Sequence, residues 1–290
     1  MRSKHIIAAA AFALCAATAP VKAQDLATLI HMSNNKKAAV NVSNIDSITI
    51  NPAENVDEAL FIDKESKWKG KRIGFLGNSI TEFGEYVKAY EELTGCKVYN
   101  YGVSATHMAK IDASTSNAFE TRYRNMTTSL DLIVVFGGTN DFGHANTADF
   151  GSFSDGTKAD TYTFYAGLHR LFKGLTTRYR YKPIVVMTPI HHGTDIDTPE
   201  YKMNADGTIE EGVNPKTGKT FREYVDAIKE VAAFYSIIVL DAYSYSGLSP
   251  MAEGSQRIFF RDGLHLNDRG GERLARWMYP QLELIYDMFY

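Results

Sequence analysis

From residue 71 onward, apolar runs of four to six residues alternate with longer amphipathic stretches. The runs at 71–76, 97–101, 131–136, 183–188 and 236–240 are short and rich in Val, Ile and Phe, which predicts buried strands. The stretches at 85–93, 118–129, 162–179, 220–235 and 268–286 read as helices, with Phe221, Val225, Ile228 and Ala232 recurring on one face of the fourth. Strands that alternate with helices predict an α/β chain: a three-layer α/β/α sandwich on a mostly parallel central sheet. Two connections, 141–160 and 191–219, are longer than a compact αβ unit requires. Both begin where a strand ends, at the carboxyl edge where open α/β sheets bind ligands.

The chain ahead of this region is patterned differently. Arg2 and Lys4 precede an apolar run from Ile6 to Ala19, and Val21-Lys22-Ala23 offers a small-x-small cleavage site, so 1–23 is expected to be a secretory signal peptide cleaved near Ala23. Between 24 and 56, Val40, Val42, Ile45, Ile48 and Ile50 alternate with polar residues after a turn-like Ser33-Asn34-Asn35-Lys36, which predicts two short strands in an N-terminal β-hairpin segment. A lone hairpin is marginal in water and needs a surface to pack on. The main domain is assigned to 57–290.

Composition narrows the partners. Of 31 lysines and arginines three fall in the leader, so 28 bases face 34 acids, and no basic footprint for nucleic acid is visible. Beyond the leader no stretch approaches the ~20 apolar residues of a membrane span. Cys96 is the one cysteine left after the leader, so a folded chain rests on its core and not on a disulfide. Cys96 itself reads as a small buried hydrophobe.

Three short blocks carry the chemistry. The first strand runs into Gly77-Asn78-Ser79-Ile80-Thr81, placing a serine at the sheet's carboxyl edge, where its bland role is that of a helix N-cap. The third strand runs into Gly137-Gly138-Thr139-Asn140-Asp141, which sets a neutral amide, Asn140, at the same edge. Near the C-terminus Asp262-Gly263-Leu264-His265 sets a carboxylate three residues before an imidazole, close enough on a tight turn to bind one ring nitrogen. A serine nucleophile, an imidazole base oriented by a carboxylate, and a neutral donor for an oxyanion are together what acyl transfer needs.

Over about residues 71–286 the chain resembles the SGNH hydrolases of the GDSL esterase/lipase superfamily. GNSIT stands where the family often has GDSIT, so Asn78 replaces a common aspartate. Asn100-Tyr101-Gly102-Val103-Ser104-Ala105 is similar to the family's glycine block, GGTND to its asparagine block, and DGLHLN to its last. The resemblance implies that Ser79 attacks a carbonyl, His265 carries the proton and Asp262 fixes the imidazole, while the N–H groups of Ser79 and Gly102 and the amide of Asn140 bind the oxyanion. The order Ser, Asp, His without a Gly-x-Ser-x-Gly elbow separates it from the α/β-hydrolase fold.

The remaining candidates are substrate contacts: Asn78, His107, His144, His191 and His192. His191 and His192 with Asp195 and Asp197 could suggest a metal, but adjacent histidines point apart in extended chain and the triad requires none, so neither metal nor cofactor is expected. Phe142, Phe150, Phe153 and Tyr201 in the long loops could stack on sugar faces or anchor the loops. The expected activity is that of a secreted serine esterase, periplasmic or extracellular, removing short acyl groups such as acetyl from a small-molecule or glycan ester. A lipase or lysophospholipase is the alternative among enzymes, and a non-catalytic binding protein on the same fold the alternative outside them.

Overall fold

A computed structural model describes residues 27–31, 37–41, 65–158, 160–193, 201–203, 209–250 and 255–290. The chain divides into two units, Met1–Lys64 and Glu65–Tyr290. In the first, β1 (Ala27–His31) pairs antiparallel with β2 (Lys37–Asn41), Ala27 opposite Asn41 and His31 opposite Lys37. The strands therefore stand on either side of Ser33-Asn34-Asn35-Lys36 and do not both follow it. The alternating residues beyond Asn41 and the expected leader lie outside the described residues.

The second unit runs β3 (Arg72–Gly77), α1 (Ser79–Phe83), α2 (Glu85–Thr94), β4 (Lys97–Gly102), α3 (Phe119–Arg122), β5 (Leu132–Phe136), α4 (Thr139–Gly143), α5 (Phe164–Arg178) and β6 (Ile184–Met187). It continues with β7 (Tyr201–Met203), β8 (Ile209–Glu211), α6 (Phe221–Phe234), β9 (Ile238–Leu240), α7 (Ala242–Tyr245), α8 (Ser255–Phe259) and α9 (Asp268–Phe289). Five strands form one parallel sheet in the order β4-β3-β5-β6-β9, while β7 and β8 pair antiparallel within the second long connection.

The three layers follow from the strand residues. Ile73, Phe75, Leu132, Val134, Phe136, Val185 and Met187 share one core with Tyr86 and Tyr90 of α2 and Leu274, Met278 and Leu282 of α9. Leu76, Ile133, Val135, Ile184 and Val186 share the other with Phe119 of α3, Leu168 and Phe172 of α5, and Tyr224 and Ile228 of α6. Successive residues face opposite layers and both layers are apolar, so the central strands read as unbroken hydrophobic runs. Among the described residues no helix is long and apolar enough to cross a membrane.

Two expected elements are shorter than their pattern suggested. The helix over 118–129 stops at Arg122 and a 3-10 turn, Tyr123–Asn125, because side chains claim the next backbone groups. The Tyr101 hydroxyl accepts the Thr127 N–H at 3.1 Å, and Arg178 Nη2 donates to Met126 O at 2.7 Å. The strand over 236–240 begins at Ile238, since Ser236 is still ending α6. Ser236 sits at φ 54°, with its N–H on Ala233 O and that of Ile237 on Ala232 O. This is a Schellman ending with serine where glycine is usual.

Candidate active site

The nucleophile block folds as a strand followed by one turn of helix. Asn78 is the N-cap of α1, its Oδ1 accepting the Ile80 N–H at 3.1 Å. The capping task therefore falls to Asn78, and the Ser79 hydroxyl is left for other use. It makes a 2.9 Å hydrogen bond with His265 Nε2, although the two residues are 186 positions apart. On the far side of the ring His265 Nδ1 lies 2.6 Å from Asp262 Oδ2. A carboxylate only accepts, so Nδ1 carries the proton and Nε2 is the acceptor for Ser79.

Asp262 is held as tightly as it holds. Its Oδ1 accepts the N–H of Leu264 at 3.0 Å and of His265 at 2.6 Å. Partial burial pushes its carboxyl upward, but the hydrogen bonds from the His265 and Leu264 backbones and the imidazole outweigh this and leave it below the ordinary carboxylate value. The turn is closed by Arg261 N–H on His265 O and Asn267 N–H on Phe259 O, at 2.9 and 3.0 Å. Phe83 of α1 lies against the imidazole, ring centroids 4.8 Å apart.

Asn140, in the first turn of α4, is buried and donates through Nδ2 to Thr106 O at 2.9 Å. One amide hydrogen is thus fixed on the segment after β4, and the other is left over. Asp141 beside it accepts the N–H groups of Met108 and Ala109 at 2.9 and 3.2 Å, a brace that the sequence did not single out. Burial raises its carboxyl pKa against the opposing influence of His107 and these N–H groups.

Gly102 does not have the free N–H that the resemblance implied. It donates to Asn100 Oδ1 at 2.8 Å, while Asn100 Nδ2 donates to Thr81 O at 2.6 Å. A Cβ at Gly102 would lie 2.2 Å from Glu82 N, so glycine is required there for β4 to approach α1. Three residues on, the backbone is differently placed. Ala105 is exposed, has φ 58°, and precedes the Thr106 carbonyl that takes Asn140. Among the described residues nothing accepts from its N–H.

Residues 75–273 match the model of the GDSL-like lipase/acylhydrolase family. The chain belongs to this family. Its members are lipases and acylhydrolases, so the chemistry it brings is ester hydrolysis. A solved structure from Lactobacillus plantarum is similar to the GDSL-like chain at 26% identity and a TM-score of 0.62, over 74% of this chain and 98% of that one. A Chitinophaga pinensis protein described as a possible lipase shares the fold at 17% identity and a TM-score of 0.56, over 74% and 98%. Among curated protein sequences none matches.

The other candidates of this GDSL-like chain have contacts of their own. Asn78 is occupied as a cap. His107 and His144 meet edge to face with centroids 5.2 Å apart, and burial, with His107 adding to it, pulls the His144 imidazole below its ordinary pKa. His192 is buried against Phe142 and Phe221, and His191 lies on Tyr243 at 3.9 Å. Both adjacent histidines are thus packed on aromatic rings, a use that lone histidines on an apolar segment commonly have. Phe142 stacks on Phe221 at 4.5 Å, Phe150 packs on Phe164 and Tyr224, and Phe153 on His169. These ring contacts anchor the loops to the domain. The side chain of Tyr201 lies outside the described residues, as do Asp195 and Asp197. Among the described residues no three His, Cys, Asp or Glu side chains are grouped to hold a metal ion.

Proposed function

We propose that the protein is an exported serine esterase that removes short acyl groups, acetyl foremost, from a carbohydrate or other hydroxyl-rich ester. The observation that carries this reading is the unbroken relay from Ser79 Oγ through His265 to Asp262, at 2.9 and 2.6 Å. Ser79 Oγ attacks the ester carbonyl as His265 Nε2 takes its proton, and the same imidazole then returns the proton to the departing alcohol. Water repeats the sequence on the acyl-enzyme. Asp262 keeps the imidazole in the productive tautomer and offsets its charge. The oxyanion takes the remaining Asn140 amide hydrogen and the N–H groups of Ser79 and Ala105.

The short-acyl preference rests on the two loops over the catalytic edge, which are dominated by Gly, Asn, Asp, Thr and Ser. Export through the leader at 1–23 suits a polysaccharide met outside the cytoplasm. A second reading, a lipase or lysophospholipase, draws on Phe83, which is 48% exposed beside His265, and on exposed Val103. The two are separated by a panel of p-nitrophenyl esters from acetate to palmitate together with acetylated xylan, with Ser79→Ala as control. The esterase reading expects kcat/KM to be highest for acetate and to vanish in Ser79→Ala. A kcat/KM that climbs to octanoate and beyond, with no acetate released from the glycan, would favour the lipase reading, and full activity in Ser79→Ala would end both.

A further inference from the structure

Arg122 closes α3, and its guanidinium is spread over three segments that border the site, on two backbone carbonyls and one hydroxyl. Nε donates to Asn117 O at 2.7 Å and Nη1 to Tyr101 O at 2.8 Å. Nη2 donates to Gly77 O and to Thr106 Oγ1, both at 2.9 Å. Gly77 is the last residue of β3, two before Ser79. Tyr101 lies at the end of β4, and Thr106 follows Ala105 and presents the carbonyl that receives Asn140.

These contacts form a closed ring. The Thr106 hydroxyl accepts from Arg122 and donates to Val103 O at 2.6 Å, and the Val103 N–H returns to Gly77 O at 3.1 Å. Inside the ring sits Ala105 at φ 58°, a left-handed conformation that costs an alanine energy and persists only where its surroundings over-determine it. The guanidinium face rests on the Phe119 ring at 5.1 Å, which fixes the plane of the fork. Burial draws its pKa down to about 10, so it stays charged at neutral pH.

We infer that Arg122 is a positioning residue for the oxyanion pocket, holding the 103–106 loop against the nucleophile strand so that the Ala105 N–H and the Asn140 amide converge on one point. The inference rests on the esterase reading. A lysine has one compact ammonium and lacks the planar fork that reaches Gly77, Tyr101 and Thr106 together.

Arg122→Ala and Arg122→Lys in the full chain test it. Turnover is counted per active site by titration with a p-nitrophenyl phosphonate, and amide exchange is followed over 103–107. Displacing a donor by about 1 Å costs on the order of 10²-fold. Arg122→Ala is therefore expected to lose roughly that much kcat per titrated site with KM within about twofold, and to exchange faster at 103–107. Added guanidinium should restore part of the loss, and Arg122→Lys should recover little of it. A merely structural arginine would lower the titrated fraction and the melting temperature but leave kcat per site unchanged. That result, or unchanged exchange at 103–107, overturns the inference. If Arg122→Ala does not fold, Arg122→Lys carries the same readouts. If the wild-type protein cleaves no ester, the esterase reading fails, and exchange at 103–107 with the rate of phosphonylation of Ser79 still decides the role of Arg122.

Discussion

Asn214 is 1% exposed and joins the two long connections by hydrogen bonds alone. Its Nδ2 donates to Phe142 O at 2.6 Å and His144 O at 2.9 Å, and its Oδ1 accepts the N–H of Lys216 and Thr217 at 3.0 and 2.9 Å. Both carbonyls lie at the C-terminal end of α4, one turn beyond Asn140. Asn214→Ala leaves Phe142 O buried without a donor, at ~1–3 kcal/mol, whereas His144 O and the two N–H groups are partly wetted and lose ~0.5–1 kcal/mol each. A loss of about 3–5 kcal/mol is expected. Asn214→Asp keeps the shape but turns a carboxyl oxygen toward two carbonyl oxygens. Protonated, it can donate to one of them; ionised, it repels both, so its folded pKa must lie above its unfolded value of ~3.9. The folded variant then binds the extra proton, and its stability falls as pH rises through that window. Urea unfolding from pH 4 to 8, at a common m-value, should show the Asn214→Asp deficit smallest at pH 4 and widest near neutrality. A deficit independent of pH, or an Asn214→Ala loss under about 1 kcal/mol, would refute this account of the loop.

Ser236→Gly should raise stability by ~1 kcal/mol, because the φ of 54° costs serine but not glycine; a lower melting temperature would contradict the Schellman assignment. Gly102→Ala should lower stability by ~2–3 kcal/mol in thermal unfolding and depress kcat with it, since the added Cβ meets Glu82 backbone and pushes away the helix that begins at Ser79. Asp155 is held below the ordinary carboxylate value by its bond from Lys158, aided by Ser152 and Thr163. Its contribution is therefore present above the unfolded pKa and lost as pH falls through the folded one. Denaturant curves for Asp155→Asn should differ from wild type at pH 6, the difference narrowing as pH falls below the unfolded carboxylate value of ~3.9, and a constant difference would rule out the ion pair as the cause.

The central strands were legible because they are buried on both faces, and the run from Leu132 to Phe136 leaves little but a strand to predict. Ser79, Asp262 and His265 were legible as blocks, but their joining was not, since contact between positions 79 and 265 is a property of the whole sheet. The short helices α1 and α4 gave no periodic signal because one helical turn has no room for a period. The assignment of a main-chain oxyanion donor to Gly102 turned on a sharper ambiguity. Glycine signals either a special φ or a close approach, and the sequence cannot say which. Gly102 serves close approach, whereas the positive φ belongs to Ala105, a residue whose identity announces nothing. The aromatics of the long loops posed a similar ambiguity, and Phe142, Phe150 and Phe153 each face another buried or half-buried aromatic.

How the chain brings Ser79 and His265 together follows from the two ends of one helix pair. The strand order β4-β3-β5 sets Ser79 between the Ala105 loop and Asn140, so the three share one edge of the sheet. Asp262 and His265 come instead from the turn that leads into α9, and their position depends on how α9 lies on α2. Its first turn contains Gly271, where a Cβ would stand 2.6 Å from the Glu85 carbonyl carbon, so the helices meet with backbone against backbone. Glu85 also receives Arg261, the residue before Asp262, in an ion pair. The start of α2 thus grips the histidine turn from both sides, and α2 begins directly after α1, the helix opened by Ser79. The 2.9 Å contact between Ser79 and His265 is thus framed by backbone packing at Gly271 and an ion pair at Arg261, neither of which takes part in the contact itself.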